Sequence, residues 1–150
     1  MSADELPTHI ELSASVDLTV PFHDADPAGV AWHGNYFRYF DDARCALLDK
    51  LGYSYRQMLV SGYYWPIVQA DVKYTRAIPF DSRITVTARL LEWEYRLKIA
   101  YEIFDSEGSR TTTGHTIQVA VSAATGEMHI GAPDVLQARL RAYLLGLTDS

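Results

Sequence analysis

The sequence has one cysteine, Cys45, among its 150 residues. A single cysteine excludes an intrachain disulfide framework, so we expect the chain to work in a reducing compartment, the cytoplasm. Residues 1–20 lack a basic stretch followed by an apolar run, and we therefore expect no secretory signal peptide. No stretch approaches the eighteen or so consecutive apolar residues of a membrane-spanning helix, so we expect no membrane span.

Basic residues are also scarce, since 13 Lys and Arg face 19 Asp and Glu for a net charge of −6. Binding to nucleic acid relies on Lys and Arg that displace counterions, so this balance argues against a nucleic-acid partner. A local group of basic residues can still hold a phosphate-bearing small ligand, because charges act over a screening length of about 8 Å. We find no internal repeat, low-complexity tract or linker, and the length predicts one domain over residues 1–150.

One long helix is the clearest predicted element. Asn35 is a plausible N-cap, and the helix should run to about Leu51, where Gly52 can end it in a left-handed conformation. Apolar residues recur along this stretch at the spacing of a single helical stripe, namely Tyr36, Phe40, Ala43, Leu47 and Leu51. The helix should therefore bury that stripe against another layer.

The remaining pattern is mostly that of strands. An extended segment precedes the helix, and strands are predicted after it from the stretch WPIVQADVKYTRAI, from Ile84–Leu90, from Leu97–Ile103 and from 115–121, where apolar and polar residues alternate. Pro133 opens a final short helix. Consecutive strands joined by short turns form an antiparallel sheet, which gives an α+β fold with a curved sheet around the central helix. Such a sheet has open edges, and we expect subunits to pair there.

Ionisable residues crowd the junction before the long helix, in the stretch PFHDADPAGVAWHGNYFRYFDDAR. Asp26 precedes a proline in a turn, where it can simply accept backbone hydrogen bonds or can act as a general base or nucleophile. His33 lies just before the helix. The backbone N–H groups from His33 through Gly34 and Asn35 to Tyr36 precede or begin the helix and can stabilise an oxyanion.

Other uses of these side chains are weaker. A metal site can be drawn from His23, Asp24, Asp26 and His33, but their spacing matches no zinc pattern, and we expect no metal. Asp41 is interpreted as a solvated acid or one that faces a neighbouring site. Cys45 is interpreted as a buried, inert thiol.

The junction, as HDADPAGVAWHGNYFRYFDDAR, and the later stretch VQADVKYTRAIPFDSRITVTARL resemble the hotdog-fold acyl-CoA thioesterases. The nearest resemblance is to the group of 4-hydroxybenzoyl-CoA thioesterase and the Tol–Pal-associated thioesterases, and it spans roughly Val16 to Val121. It implies the hotdog fold and hydrolysis of an acyl-CoA or acyl-carrier-protein thioester to the free acid and a thiol. It implies no cofactor, since CoA enters only as part of the substrate.

The resemblance also implies roles for single residues. Asp26 matches the catalytic aspartate, as nucleophile or as base for water, and the His33 backbone N–H would polarise the thioester carbonyl. The position of His33 is tyrosine in the hydroxybenzoyl enzyme and histidine in the Tol–Pal relatives. Asn35 and Tyr36 match the motif, and Asp41 falls where relatives carry an acid.

Assembly and CoA binding are further implications of the resemblance. Family members form homodimers or homotetramers with active sites at the subunit interface, and basic residues contact the CoA phosphates. Arg76 and Arg96 are the candidates here, because each lies near a strand end. Two alternatives remain open: a hotdog dehydratase or hydratase, and a non-catalytic subunit that binds acyl thioesters.

Overall fold

The computed structural model describes residues 6–147. The outermost residues of the predicted domain and the first five residues of the stretch examined for a signal peptide therefore lie outside the described part. The described elements are β1 (Ser13–Thr19), α1 (Tyr36–Leu51), α2 (Tyr55–Val60), β2 (Tyr63–Tyr64), β3 (Ile67–Tyr74), β4 (Arg83–Glu92), β5 (Leu97–Phe104), β6 (Arg110–Gln118), β7 (Val121–Ser122) and α3 (Asp134–Leu144). Two short 3-10 turns, Phe22–Asp24 and His33–Asn35, lie between β1 and α1. Within residues 6–147, no helix is both long enough and apolar enough to cross a bilayer.

Five strands form one antiparallel sheet in the order β1-β4-β5-β6-β3. Helix α1 packs against this sheet, mainly on β1 and β4. The predicted α+β architecture, an antiparallel sheet around one long helix, is therefore confirmed. The sheet order leaves β1 and β3 at the two edges, and the end of β3 contacts the junction before α1 through Tyr74.

Helix α1 buries the predicted stripe, since Tyr36, Phe40, Ala43, Leu47 and Leu51 are all buried. Gly52 ends the helix with φ 76°, as its position predicts. The cap prediction for Asn35 is wrong in its chemistry. Asn35 holds the N-cap position with helical φ and ψ, and its side chain makes no capping bond. The Asn35 amide group instead donates to the Asp24 carbonyl oxygen at 2.9 Å.

Strand β6 departs from the alternation predicted over residues 115–121. It begins at Arg110 and ends at Gln118, and its buried side chains include Thr112, Thr116 and Gln118. These polar side chains form hydrogen bonds inside the core, so an apolar period predicts a strand here but not its start or its end. Neither α2 nor the short β2–β7 ladder is predicted from the sequence, because two-residue strands and a six-residue helix carry too little periodicity.

Candidate active site

Backbone hydrogen bonds shape the loop that carries Asp26. The Asp26 N–H donates to the Val30 carbonyl oxygen at 2.9 Å, and Gly29, at φ 80°, donates back to the Asp26 carbonyl oxygen at 2.9 Å. The connection between β3 and β4 holds the same loop, because Phe80 N–H donates to the Gly29 carbonyl oxygen at 3.0 Å. The predicted turn is thus present and anchored at a defined place beside the sheet.

The Asp26 carboxylate has one oxygen engaged within this loop. Its Oδ1 accepts hydrogen bonds from the N–H groups of Ala28 at 2.9 Å and Val30 at 3.4 Å. Among the described residues, Oδ2 has no hydrogen-bond partner, and Asp26 lines an open groove. Asp26 therefore accepts the turn's backbone hydrogen bonds through Oδ1 and also keeps Oδ2 available for chemistry.

The groove beside Asp26 has a volume of about 260 Å³. It is lined by Asp26, Val30, Ala31, His33, Tyr36, Tyr74, Thr75, Arg76 and Ala77. Tyr74 donates its hydroxyl to the His33 carbonyl oxygen at 2.9 Å, which joins the end of β3 to the turn before α1. Burial raises the pKa of Tyr36 and of Tyr74, so both phenols are neutral near pH 7.

Aromatic rings surround the turn at one end of the groove. The Tyr36 and Tyr74 ring centroids are 4.7 Å apart, and the His33 ring lies 5.1 Å from Trp32 and 6.3 Å from Tyr74. The Trp32 ring covers Gly34 so closely that a Cβ at Gly34 would lie 2.2 Å from it. Glycine at this position therefore lets the indole lie directly over the turn.

Two of the four predicted oxyanion amides are already used. Asn35 N–H donates to the Trp32 carbonyl oxygen at 2.9 Å, and Tyr36 N–H donates to the His33 carbonyl oxygen. His33 and Gly34 are the first two residues of the 3-10 turn, where an N–H has no acceptor within the turn. The structure thus removes Asn35 and Tyr36 from the predicted amide donors and leaves His33 and Gly34.

Asp24 forms a buried network that the sequence reasoning missed. Its side chain is 2% exposed, and its Oδ2 accepts hydrogen bonds from Arg38 and, at 2.8 Å, from the Tyr39 hydroxyl. Burial works against the charge, but the bonds from Arg38 and Tyr39 outweigh it, so the pKa of Asp24 lies below its ordinary value. The sequence offered one signal, an Arg-Tyr pair in the first turns of the helix, but no local rule connects it to Asp24.

Asp41 lies away from the residues that line the groove and forms an ion pair with Arg44. The Arg44 side chain is 4% exposed and also donates to the Tyr55 and Tyr101 hydroxyls. Asp41, which is half exposed, therefore balances a buried cation within its own subunit. The nearby Cys45 is only partly buried, which corrects the expected buried thiol, but desolvation still raises its pKa and favours the unreactive protonated form.

The two arginines proposed for CoA phosphates lie in different places. Arg76 lines the groove with Asp26 and His33. Arg96 lines another groove beside Trp93, and its Nε donates to Glu92 at 2.6 Å. The structure brings Arg76 to the candidate site and not Arg96. Within residues 6–147, no group of three or more His, Cys, Asp or Glu side chains could hold a metal ion.

Comparison with known proteins gives a family match over most of the chain. A family model described as the thioesterase-like superfamily matches residues 20–140. The 4-hydroxybenzoyl-CoA thioesterase of Pseudomonas sp. is 28% identical over 114 residues, which are 74% of this chain and 78% of that protein. The 1,4-dihydroxy-2-naphthoyl-CoA hydrolase of Thermosynechococcus vestitus is 27% identical over 126 residues, which are 83% and 86% of the two chains.

Solved structures give the same result for the fold. The DHNA-CoA thioesterase from Staphylococcus aureus superposes with a TM-score of 0.76 at 25% identity. The superposition covers 92% of this chain and 97% of the other. The sheet, the long helix and the junction between them therefore follow an arrangement found in known enzymes.

Proposed function

Because the chain belongs to the thioesterase-like superfamily and has its hotdog fold, it is a thioester hydrolase, and we propose that it cleaves acyl-CoA at the groove beside Asp26. One observation carries the assignment of the site. Asp26, with its free carboxylate oxygen, and His33, with its unengaged backbone N–H, line the same groove. A base and an oxyanion donor in one groove are the two groups that this hydrolysis needs.

The proposed reaction uses water as the nucleophile. Asp26 Oδ2 takes a proton as the water oxygen bonds to the thioester carbonyl carbon, and the carbonyl oxygen becomes an oxyanion held by the His33 and Gly34 N–H groups. The oxyanion then re-forms the carbonyl as the carbon–sulfur bond breaks, and the departing thiolate takes the proton from Asp26. The products are the free acid and CoA thiol. Because base and oxyanion donors are part of the chain, we propose that no cofactor takes part.

The test is thiol release from a panel of aliphatic and aromatic acyl-CoAs by the wild type and Asp26→Asn. An asparagine Oδ1 can keep the bonds from Ala28 and Val30 but cannot act as the base, so kcat should fall by about 10²–10⁴ while the melting temperature holds. Asp42→Asn, on an exposed carboxylate of α1, is the matched control and should stay active. Wild-type activity should also survive dialysis against EDTA.

Three results would contradict parts of this proposal. An Asp26→Asn variant as active as the wild type would remove Asp26 from the chemistry. A wild type that hydrolyses no acyl-CoA but does hydrolyse the same acyl groups on a carrier protein would replace CoA as the substrate carrier. Binding of acyl-CoA without any turnover would favour the non-catalytic reading.

We also propose that two copies of the chain pair along β3. This strand is a sheet edge with one side unpaired, and it exposes Ile67 at 44% and Val68 at 58%. An exposed apolar edge strand is a template for pairing with another strand. Since Tyr74 ends β3 and lies on the groove, a second copy on this edge would cover or complete the site.

Sedimentation of the wild type tests the pairing and should give a dimer or a tetramer built from dimers. Val68→Lys places a charge on the β3 edge and should weaken the dimer, whereas Ser15→Lys on the opposite edge strand should leave it intact. A monomeric, fully active wild type would refute the proposed pairing. We further propose a cytoplasmic location, as expected from the single free cysteine, and fractionation of cells would test it.

A further inference from the structure

Asp24 is the most buried carboxylate of the junction and is not one of the residues that line the groove. The proposed chemistry does not use it. Burying an ionised side chain is unfavourable unless it is paired and hydrogen-bonded, and the partner Arg38 is half exposed, so the ion pair itself contributes little net stability. The network of Asp24 therefore calls for an explanation other than stability.

We propose that Asp24 is a positioning residue for the hydrolysis: it fixes the turn that presents the His33 and Gly34 amides to the groove of Asp26. The inference rests on the proposed function of that groove. Asp24 contacts neither substrate nor reacting atoms in this proposal, and it acts through the backbone on both sides of it.

The first part of the argument is the Asp24 carbonyl oxygen. It accepts hydrogen bonds from the Trp32 N–H and from the Asn35 side chain, both at 2.9 Å. Trp32 and Asn35 flank His33 and Gly34 on either side. One backbone oxygen therefore holds both ends of the short turn whose two amides are free.

The second part is the Asp24 carboxylate. Its Oδ2 accepts bonds from Arg38 and Tyr39, which lie in the first turns of α1. Both donors are beyond the 3-10 turn in sequence, so the carboxylate connects residue 24 to the helix that follows the turn. Charge-assisted bonds of this kind are directional, and they set where the carbonyl of the same residue lies.

The third part is the distance along the chain to the base. Asp26 is two residues after Asp24, and Ala25 pairs with Ala31 in a short antiparallel bridge. Asp24 therefore positions both the Asp26 base, which follows it in the chain, and the His33 and Gly34 amides, which its carbonyl oxygen holds in place. Loss of the anchor should shift the amides relative to Asp26, and shifts of about 1 Å in an active site reduce rates by as much as 10²-fold.

The experiment compares Asp24→Asn, Arg38→Gln and Tyr39→Phe with the wild type and with Leu136→Ala. Leu136 is buried in α3 and is absent from the groove, so its truncation controls for lost stability. The measurements are kcat and KM with an acyl-CoA substrate, and amide hydrogen exchange over residues 30–36 under conditions where the global unfolding of the variants is matched.

Asp24→Asn should lower kcat by roughly 10- to 100-fold with KM within a few-fold, and the two partner variants should give smaller decreases in kcat. Exchange of the amides around the turn should become faster in Asp24→Asn and stay unchanged in Leu136→Ala. A kcat loss of the same size in Leu136→Ala, or unchanged kcat in Asp24→Asn, would overturn the inference.

The exchange measurement separates failure of this inference from failure of the proposed function. If the wild type hydrolyses no thioester, the proposed function fails, and exchange alone then decides whether Asp24 orders the turn. Faster exchange confined to Asp24→Asn would support the positioning role. Equal exchange in Asp24→Asn and wild type would overturn it.

Discussion

Replacing His33 by proline removes one backbone N–H and keeps the backbone shape. Proline suits the first residue of a helical turn, where the N–H makes no intrahelical bond. The residue before a proline must be extended, and Trp32 already has φ −64° and ψ 135°. His33→Pro should therefore fold with its turn intact and lack one of the two proposed oxyanion donors.

The magnitude follows from separating the N–H from the imidazole ring. Both His33→Ala and His33→Pro lose the ring contacts with Trp32 and Tyr74, worth about 0.5–1.5 kcal/mol each. Only His33→Pro loses the N–H, and loss of one oxyanion donor costs about 10²–10³ in kcat. We therefore expect His33→Pro to be slower than His33→Ala by that factor.

The assay is steady-state thiol release by the two variants and the wild type, with thermal unfolding of each. Each 1 kcal/mol of lost stability lowers the melting temperature by roughly 2–4 °C in a chain of this size, so a folded variant is easily recognised. If both folded variants have equal kcat, the His33 amide does not stabilise the oxyanion. If the two variants are equally slow relative to the wild type, the imidazole and not the backbone carries the role, and if both match the wild type, neither group of His33 takes part.

Three further outcomes are expected. Gly114→Ala should lower the free energy of unfolding by about 2–3 kcal/mol in urea, since an added Cβ would lie 2.6 Å from the Phe40 ring and from a neighbouring carbonyl oxygen. An unchanged urea midpoint would contradict this. Arg76→Ala should raise KM for acyl-CoA by roughly fivefold, as expected for about 1 kcal/mol, and Arg96→Ala should not. Equal effects of the two, or the same rise with an acyl-pantetheine lacking the nucleotide, would refute phosphate binding by Arg76. The stabilisation from ionised Asp24 should be complete above pH 3.8 and lost as the pH falls through its lower folded-state pKa. Urea unfolding between pH 5 and 2 should show this loss in the wild type and not in Asp24→Asn; parallel curves would refute it.

Helix α1 shows what can be predicted from local pattern. Its apolar stripe, its end at Gly52 and its burial all follow from residues within sixteen positions of one another, so periodicity alone was sufficient. The succession of the long strands along the chain was predicted in the same way, although their order in the sheet was not. Strand β6 could not be delimited, because the buried Thr112, Thr116 and Gln118 are polar and gain their place through hydrogen bonds inside the core.

In the candidate site, too, some features follow from the local sequence pattern and others need the fold. The stretch around Asp26 and His33 has a sequence pattern specific enough to predict the junction and its family resemblance. The pattern could not tell which backbone amides are free, because that depends on the 3-10 turn and its bonds to Trp32 and His33. Nor could it separate Arg76 from Arg96, since both lie near strand ends and only the folded sheet places one of them on the groove.

The sequence by itself determined the α+β architecture, the helix that carries the junction and the place of Asp26, because each depends on residues close together in the chain. Only the tertiary structure decided the partners of Asp24, the bond of the Asn35 side chain to the Asp24 carbonyl oxygen, and the place of Arg96 in a groove other than that of Asp26. Those outcomes depend on contacts between residues eleven to fifteen positions apart or on different strands. Hydrogen-bond geometry fixes such contacts, and it exists only once the loop has folded back on the helix.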